Sequence, residues 1–222
     1  GRINMEHRKL PHGGEEIGVL GIGTGSLHAA PPEEIRAVAE TAVANGINFF
    51  DLCAGGKSVY EPFGRAIEGR RKELYFQLHF GAVYNAAGEY AWSRDLSEIK
   101  ETFAREMKAL RTDYVDFGFP HCIDDDGDFD VIMRGGIFDY VTGLRRDGVL
   151  RHIGFSSHTP SVANRLLDTG VCDIMMFSIN PAYDFERGDE LGIGTVRERA
   201  ALFRRCEAEG VGISVMKPFH GG

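Results

Sequence analysis

The chain has 222 residues, of which 43% are hydrophobic and 26% are charged, and its formal net charge is −8. This composition is typical of one globular domain. The acidic balance, with no Lys/Arg run longer than three residues, argues against nucleic acid as a partner. The apolar stretches have the length of strands rather than of membrane spans, so we expect no membrane partner either.

Four cysteines are widely spaced along the chain, and none belongs to a CxxC pair. In a chain of this size the pattern indicates free thiols rather than a disulfide framework. A polar run follows Met5, so we expect no secretory signal here. Together these features predict a protein of the reducing cytoplasm.

In chain order, the first predicted element is a β-hairpin over Lys9–Ile17, with its turn at Pro11–Gly14. Apolar runs follow, and we predict strands at Val19–Thr24, Ile47–Cys53, Leu74–Phe80, Tyr114–His121, Leu150–Ser156, Cys172–Asn180 and Val211–Pro218. Helical spacing and capping residues predict helices between them, at Pro31–Asn45, Tyr60–Arg71, Asp95–Leu110, Phe129–Arg146, Pro160–Leu167 and Thr195–Glu209. A longer connection, Gly81–Arg94, follows the third of these strands.

Strands that alternate with helices predict parallel βα units, in either an open doubly wound sheet or a closed barrel. The open sheet requires a GxGxxG turn, which Gly21–Ser26 matches only in part. Seven successive units therefore favour a TIM (β/α)8-type barrel, which needs eight. We expect a single domain over 1–222 that is truncated after strand seven. A missing C-terminal segment, or a partner chain in an oligomer, would then complete the barrel.

The carboxyl ends of the predicted strands carry many chemically active side chains. In βα barrels this edge holds the active site. Five of the eight histidines map to it, namely His28, His79, His121, His158 and His220. Asp51 ends the second of these strands. Because perturbable groups gather at functional clefts, this edge is the candidate active site.

Several segments at these strand ends resemble the aldo-keto reductase superfamily. They are Asn48–Asp51 (NFFD), Thr112–Asp116 running to His121 (TDYVD…H), Arg151–Ser157 (RHIGFSS), and Met216–Phe219 with Gly221–Gly222 (MKPF, GG). The resemblance covers Leu20–Gly222. The segments SSH and VMKP are similar to a branch whose members often carry a C-terminal iron–sulfur domain. An iron–sulfur cluster is therefore expected only in a region absent from this chain.

The resemblance implies NADP(H)-dependent reduction of a small-molecule carbonyl substrate. It implies catalytic roles for Asp51 and His121, and it puts His79 where the family has a lysine. It also implies cofactor contacts by Thr24, Ser156, Ser157, Lys217 and Phe219. The chain departs from the family where Gly56 stands in the place of the acid tyrosine. Met176 and Met216 likewise replace a glutamine and the aromatic residue that stacks on nicotinamide.

Without that tyrosine, another acid must protonate the substrate oxygen. The candidates are His121, His79, Tyr60, Tyr84 and Tyr90. The last two lie in the long connection, which is a candidate lid. Two other functions stay open. One is a metal-dependent enzyme in which Asp51, His79 and His121 hold zinc or iron. The other is a non-catalytic binding protein.

An acidic run at 124–128, DDDGD, invites a calcium interpretation. With Gly127 at position six of an EF-hand loop, positions one and twelve would be Cys122 and Met133, which are not calcium ligands. We therefore expect a solvated acidic loop here.

Overall fold

A computed structural model describes residues 5–18, 20–52, 56–84, 87–178 and 194–216. Its strands are β1 His7–Lys9, β2 Glu16–Gly18, β3 Ile22–Gly23, β4 Phe49–Leu52, β5 Tyr75–Phe80, β6 Ala82–Tyr84, β7 Tyr90–Trp92, β8 Val115–Pro120, β9 Leu150–Ser156, β10 Ile174–Ser178 and β11 Gly212–Met216. Its α-helices are α1 Pro32–Ala44, α2 Gly56–Ala66, α3 Leu96–Leu110, α4 Asp126–Arg134, α5 Ile137–Arg146, α6 Pro160–Asp168 and α7 Val196–Glu209. The predicted site residues Lys217 and Phe219 lie outside the described residues, as do Cys53 and His220. No helix in the described ranges is both long and apolar enough to span a membrane.

Seven parallel strands form one curled sheet, in the order β11-β10-β9-β8-β5-β4-β3. The predicted TIM-type architecture with about seven βα units is confirmed as this half-barrel. The predicted N-terminal hairpin is present as the antiparallel pair β1–β2. Because the seven strands of the sheet run in the same direction, their carboxyl ends meet along one edge.

The hydrophobic core has two parts. The larger part lies between the sheet and the helices. The smaller part fills the inner face of the curled sheet and contains Phe117, Phe119, Ile174 and Met176. Leu10 and Ile17, from the N-terminal hairpin and its turn, pack against this inner cluster. The hairpin thereby covers the amino-terminal end of the interior and leaves the carboxyl edge for the site.

Charged side chains join this hairpin to the sheet. His152 on β9 has Glu15 Oε1 2.5 Å from its Nε2 and Asp173 Oδ2 3.3 Å from its Nδ1. His12 and Arg145 also face Asp173, at 3.7 and 3.4 Å. Burial lowers the pKa of His152, but the hydrogen bonds to Asp173 and Glu15 outweigh burial, so the pKa is raised.

Part of the TDYVD motif has a structural role, in a group of contacts that we call the base clamp. Arg71 Nη2 donates to Asp116 Oδ2 and to the Tyr114 carbonyl, each at 2.9 Å, and Nε donates to Thr112 Oγ1 at 2.9 Å. Asp116 Oδ2 also accepts from the Phe76 N–H at 2.9 Å. The side chains of Arg71 and Asp116 are only 15% and 2% exposed. The clamp joins β5 and β8 near their amino ends, opposite the candidate active edge.

Some predicted elements differ in the structure. The helix predicted over Phe129–Arg146 is two helices, α4 and α5, because Gly136 adopts a φ of +83° that interrupts the helical backbone. The connection predicted over Gly81–Arg94 contains the antiparallel hairpin β6–β7. The second predicted helix begins at Gly56 rather than at Tyr60.

Candidate active site

Three of the predicted site residues lie together at the carboxyl edge, and we call them the central cluster. Asp51 is on β4, His79 is on β5, and His121 directly follows β8. Asp51 Oδ1 lies 2.8 Å from His79 Nε2. The rings of His79 and His121 meet edge to face, with 5.5 Å between their centroids. Side chains along a strand point alternately to the two faces of the sheet. Odd-numbered residues of β4, β5 and β8 pair with one another, so their side chains share the inner face.

The position of His79 depends on two residues beneath it. Its ring stacks on Phe119, with centroids 5.5 Å apart and planes inclined by 26°. Gly154 on β9 makes room for Phe119, because a Cβ at Gly154 would overlap the phenyl ring. The His79 side chain is only 3% exposed. Packing on both strands therefore sets the orientation of this imidazole.

The central cluster and the neighbouring Gln77 contain buried polar atoms that lack hydrogen-bond partners among the described residues. These atoms are His79 Nδ1, His121 Nδ1 and Gln77 Oε1. A buried polar atom without a partner costs free energy, so it commonly marks a place where a ligand or an ordered water binds. The cluster is therefore suited to a polar ligand.

His121 is buried, and its electrostatic environment opposes protonation. Burial, followed by the nearby His79 and Arg94, lowers the pKa of His121 to about 3, and Asp124 acts in the opposite direction. The ring is therefore neutral at neutral pH. A neutral imidazole can donate a hydrogen bond but is a poor proton source, so this environment favours an orienting role for His121 over that of the acid.

The β6–β7 hairpin covers the exposed side of His121. The Trp92 ring lies against the imidazole with 3.4 Å between centroids. The Tyr90 hydroxyl lies 3.5 Å from His121 Nε2. Tyr90 and Trp92 are 42% and 58% exposed, so both face the mouth of the half-barrel. Sequence reasoning noted the aromatic residues of this connection but did not predict the contacts with His121.

The other candidate tyrosines are engaged elsewhere. Tyr60 is fully buried, and its hydroxyl donates to the Leu52 carbonyl at 2.6 Å. Tyr84 packs edge to face on Tyr60, and its ring lies 2.9 Å from the point where a Gly56 side chain would begin. A side chain at Gly56 would also be strained, because its φ is +58°. Tyr84 thus fills the space beside Gly56, where the family's tyrosine would begin.

The described residues with predicted cofactor contacts also lie at the carboxyl edge. Ser156 ends β9 and Ser157 follows it, each 3% exposed. Thr24 follows β3, and its N–H donates to the Asp51 carbonyl at 3.0 Å. Ser157 is fixed by its own turn, since its Oγ donates to the Thr159 carbonyl at 3.3 Å. Thr24, Ser156 and Ser157 therefore lie at the same end of the sheet as the central cluster.

A groove on another part of the surface lies away from the central cluster. It has a volume of about 840 Å³ and runs between α1, α2 and the turn of the β6–β7 hairpin. Charged side chains line much of it, including Arg36, Lys57 and Arg65. None of the central cluster residues contributes to its lining. The central cluster stays the candidate active site because of its chemistry, not because of the volume beside it.

The acidic run at 124–128 is largely exposed, as the sequence predicts, but it leads into the first turn of α4 rather than forming only a loop. Asp125 caps α4 by accepting the N–H of Asp128 at 2.7 Å. Asp128 forms two hydrogen bonds with Arg94, at 2.8 and 2.6 Å. Asp124 pairs with His158. These carboxylates are used for capping and pairing, which a count of consecutive acidic residues does not reveal.

The metal-site alternative named Asp51, His79 and His121, but a different set converges. Within the described ranges, Cys122, Asp124 and His158 form the group of three whose donor atoms all lie within 4.8 Å of one another. Sequence reasoning placed His158 at the carboxyl edge but did not connect it with Cys122. The signal that could have joined them was that they follow adjacent predicted strands.

Comparison with known proteins gives a consistent family pattern. A model described as "Aldo/keto reductase family" matches residues 19–222. The curated protein named "Uncharacterized oxidoreductase YqkF", from Bacillus subtilis (strain 168), is 27% identical over 179 residues. That match covers 78% of this chain and 56% of the relative, so the chain spans little more than half of the relative's length.

Solved structures agree in fold. The aldo-keto reductase AKR11C1 from Bacillus halodurans, in its holo form, matches with a TM-score of 0.75 and 22% identity, over 97% of this chain and 67% of that one. An aldo/keto reductase from Klebsiella pneumoniae, solved in complex with NADP and acetate, matches with a TM-score of 0.65 and 16% identity, over 95% and 68%. The iron–sulfur relationship stays a prediction.

Proposed function

The chain belongs to the aldo/keto reductase family, and from this premise we propose that the protein is an NADP(H)-dependent oxidoreductase of a small carbonyl substrate, with Tyr90 as its acid. The observation that carries the proposal is the Tyr90 hydroxyl, 3.5 Å from His121 Nε2. The family's tyrosine position is Gly56, which has no side chain to offer. Tyr90 reaches the mouth from the β6–β7 hairpin instead.

Tyr90 and His121 are suited to act on one substrate oxygen. A neutral imidazole orients a carbonyl by donating a hydrogen bond from Nε2, and a phenol can transfer a proton to the oxygen. Their polar atoms lie close enough to meet the same oxygen. Tyr90 is 42% exposed, so solvent can return its proton after turnover. Trp92 excludes water from the other side of His121.

Asp51 and His79 act as positioning residues in this proposal. The resemblance puts His79 where the family has a lysine that, with the aspartate, tunes the tyrosine. Here the pair is kept in another form, with 2.8 Å between Asp51 Oδ1 and His79 Nε2. If Nε2 carries the proton of this bond, Nδ1 is left as an acceptor that faces the site. The stack on Phe119 holds the ring in that orientation.

The residues at the edge fit a nicotinamide cofactor. The buried hydroxyl of Ser156 can hold a carboxamide, while the Ser157 hydroxyl beside it stays in its turn with Thr159. The imidazole nitrogens of the central cluster that lack a partner among the described residues can accept hydrogen bonds from further polar groups. When bound, NADPH would supply the hydride that reduces the carbonyl carbon. The Klebsiella pneumoniae relative, which was solved in complex with NADP, supports this choice. We propose Thr24, Lys217 and Phe219 as further cofactor contacts.

The test uses the full-length protein and two readouts, NADPH binding by fluorescence titration and NADPH oxidation with a panel of aldehydes and ketones. We expect wild-type protein to bind NADPH and to reduce at least one carbonyl. Tyr90→Phe should bind NADPH as wild type does but lose about 10²–10⁴-fold in kcat, the usual contribution of a general acid. Tyr114→Phe, at the opposite end of the barrel, is the matched control and should keep full activity.

Two results would refute different parts of the proposal. No NADPH binding at millimolar cofactor would exclude the oxidoreductase. Full kcat in Tyr90→Phe, with NADPH oxidation intact, would exclude only the assignment of the acid.

A further inference from the structure

A second cluster of reactive side chains lies beside the central cluster and is not used by the proposed reaction. It consists of Cys122 and Asp124, which follow β8, and His158, which follows β9. Cys122 Sγ lies 3.3 Å from His158 Nδ1 and 3.3 Å from Asp124 Oδ2. His158 Nδ1 lies 3.1 Å from Asp124 Oδ2. The three donor atoms therefore form a nearly equilateral triangle.

The arrangement differs from that of a nucleophilic triad. In a triad the imidazole bridges its partners, with one ring nitrogen on the nucleophile and the other on the carboxylate. Here the thiol and the carboxylate both approach the same atom, Nδ1 of His158. Three donors that meet at one point have the geometry of ligands around one ion.

The distances fit a tetrahedral metal. Zinc takes sulfur at about 2.3 Å and nitrogen or oxygen at about 2.0–2.2 Å, so two ligands of one tetrahedron lie roughly 3.3–3.6 Å apart. The observed separations of 3.1–3.3 Å require an expansion of only a few tenths of an ångström. We propose that Cys122, Asp124 and His158 bind one borderline divalent cation, of which Zn²⁺ is the best match.

The donor types select this class of ion. A thiolate with an imidazole and a carboxylate suits zinc, whereas calcium and magnesium prefer sites made wholly of oxygen. Binding displaces two protons to solvent, the thiol proton of Cys122 and the Nδ1 proton through which His158 pairs with Asp124, since a thiolate and a neutral imidazole are the ligands. No electron transfer is needed.

Neighbouring contacts hold the ligands in place without the ion. Asp124 Oδ1 accepts the backbone N–H of His158 at 2.6 Å, which fixes the carboxylate against the next strand end. Arg94 Nη2 donates to the Cys122 carbonyl at 2.8 Å. The Ile123 N–H donates to the Ser156 carbonyl at 2.9 Å, which joins the two segments. Such support around the ligands is typical of metal sites that are formed in advance.

The site is open to solvent on one side. The side chains of Asp124 and His158 are 39% and 43% exposed. Three protein ligands with an accessible fourth position are the pattern of a zinc site that binds water or another small ligand. Cys122 directly follows His121 in the chain, so this fourth position lies at the same mouth as the central cluster.

The experiment adds Zn²⁺ or Co²⁺ to full-length protein made without a histidine tag. We expect one equivalent of Zn²⁺ by calorimetry, and with Co²⁺ the near-ultraviolet band of a cobalt–thiolate bond. His158→Asn and Asp124→Asn should weaken Zn²⁺ binding at least about 10–100-fold, the loss known for residues that merely support metal ligands. Cys122→Ser should abolish the cobalt–thiolate band.

Matched controls separate this site from adventitious binding. His28→Asn removes an exposed rim histidine whose ring contacts the Gly25 carbonyl, and it should leave the affinity unchanged. Asp126→Asn removes a neighbouring carboxylate that pairs with Arg165, and it should not change the affinity for Zn²⁺. Thermal unfolding followed by circular dichroism checks that each variant is folded. If Cys122→Ser does not fold, His158→Asn carries the test, because that side chain is substantially exposed.

Less than a tenth of an equivalent of Zn²⁺ in wild type would overturn the proposal. The proposal would also be overturned if wild type and His158→Asn bound Zn²⁺ with equal affinity. It would likewise be overturned if the cobalt–thiolate band persisted in Cys122→Ser. These readouts measure metal binding alone, so they stand or fall separately from NADPH oxidation.

Discussion

The base clamp provides a sharp test of the physical account of the fold. Arg71→Met keeps an unbranched side chain that can pack on Phe76 and Tyr114 but removes the charge that faces Asp116. Breaking one side of a buried ion pair typically costs about 3–5 kcal/mol, because the remaining charge stays desolvated. The Phe76 N–H still donates to Asp116, and Arg151 lies 3.6 Å from its other oxygen. We therefore expect the lower end, about 3 kcal/mol.

The assay is equilibrium unfolding in urea together with thermal melting of the full-length protein. A loss of about 3 kcal/mol corresponds to a decrease in Tm of roughly 6–12 °C for a domain of this size. Arg70→Met is the control, because Arg70 pairs only at the surface with Glu73, and it should cost less than about 1 kcal/mol. Equal effects for Arg71→Met and Arg70→Met would refute the claim that the buried clamp stabilises the barrel base.

Two further predictions concern pH and packing. Because folding raises the pKa of His152, its contribution to stability is fully present below the ordinary value of 6.5 and is lost as the pH rises through the folded value. The free energy of unfolding, measured by urea titration across this range, should lose that part of its pH dependence in His152→Gln; an unchanged profile would contradict the assignment. Gly154→Ala should cost about 1–3 kcal/mol, since the new methyl group meets Phe119, and should shift the ring resonances of His79 in NMR spectra. In Gly23→Ala the new methyl group has no atom within 4 Å, so this control should change neither the stability nor the His79 resonances. Equal effects of the two substitutions would contradict the claim that Phe119 needs the space at Gly154.

The fold and much of the central cluster could be predicted from the sequence for physical reasons. The alternation of apolar strands with capped helices specifies parallel βα units, and the parity of positions along a strand specifies which side chains share a face. Asp51 and His79 follow from these two rules, because they lie on neighbouring strands that pair in parallel. The N-cap at Asp95 also follows from local chemistry, and its carboxylate accepts the Glu98 N–H as expected.

Other features depend on contacts between distant segments, which local patterns do not encode. Tyr90 meets His121 only because the connection after β5 folds back as a hairpin with a particular register. The roles of Asp124 and Asp128 depend on His158 and Arg94, each about thirty residues away in the chain. The neutrality of His121 arises from burial and from the nearby His79 and Arg94, so it too required the three-dimensional structure.

The β6–β7 hairpin combines two tasks in one element. It presents the phenol of Tyr90 and, two residues later, shields the imidazole with Trp92. If Tyr90 is the acid, as we propose, a movement of this hairpin away from the mouth would withdraw the proton source and admit water in the same event. Under that proposal, proton delivery and the exclusion of water are coupled through one element, so a half-open enzyme would be inactive rather than wasteful of reducing equivalents.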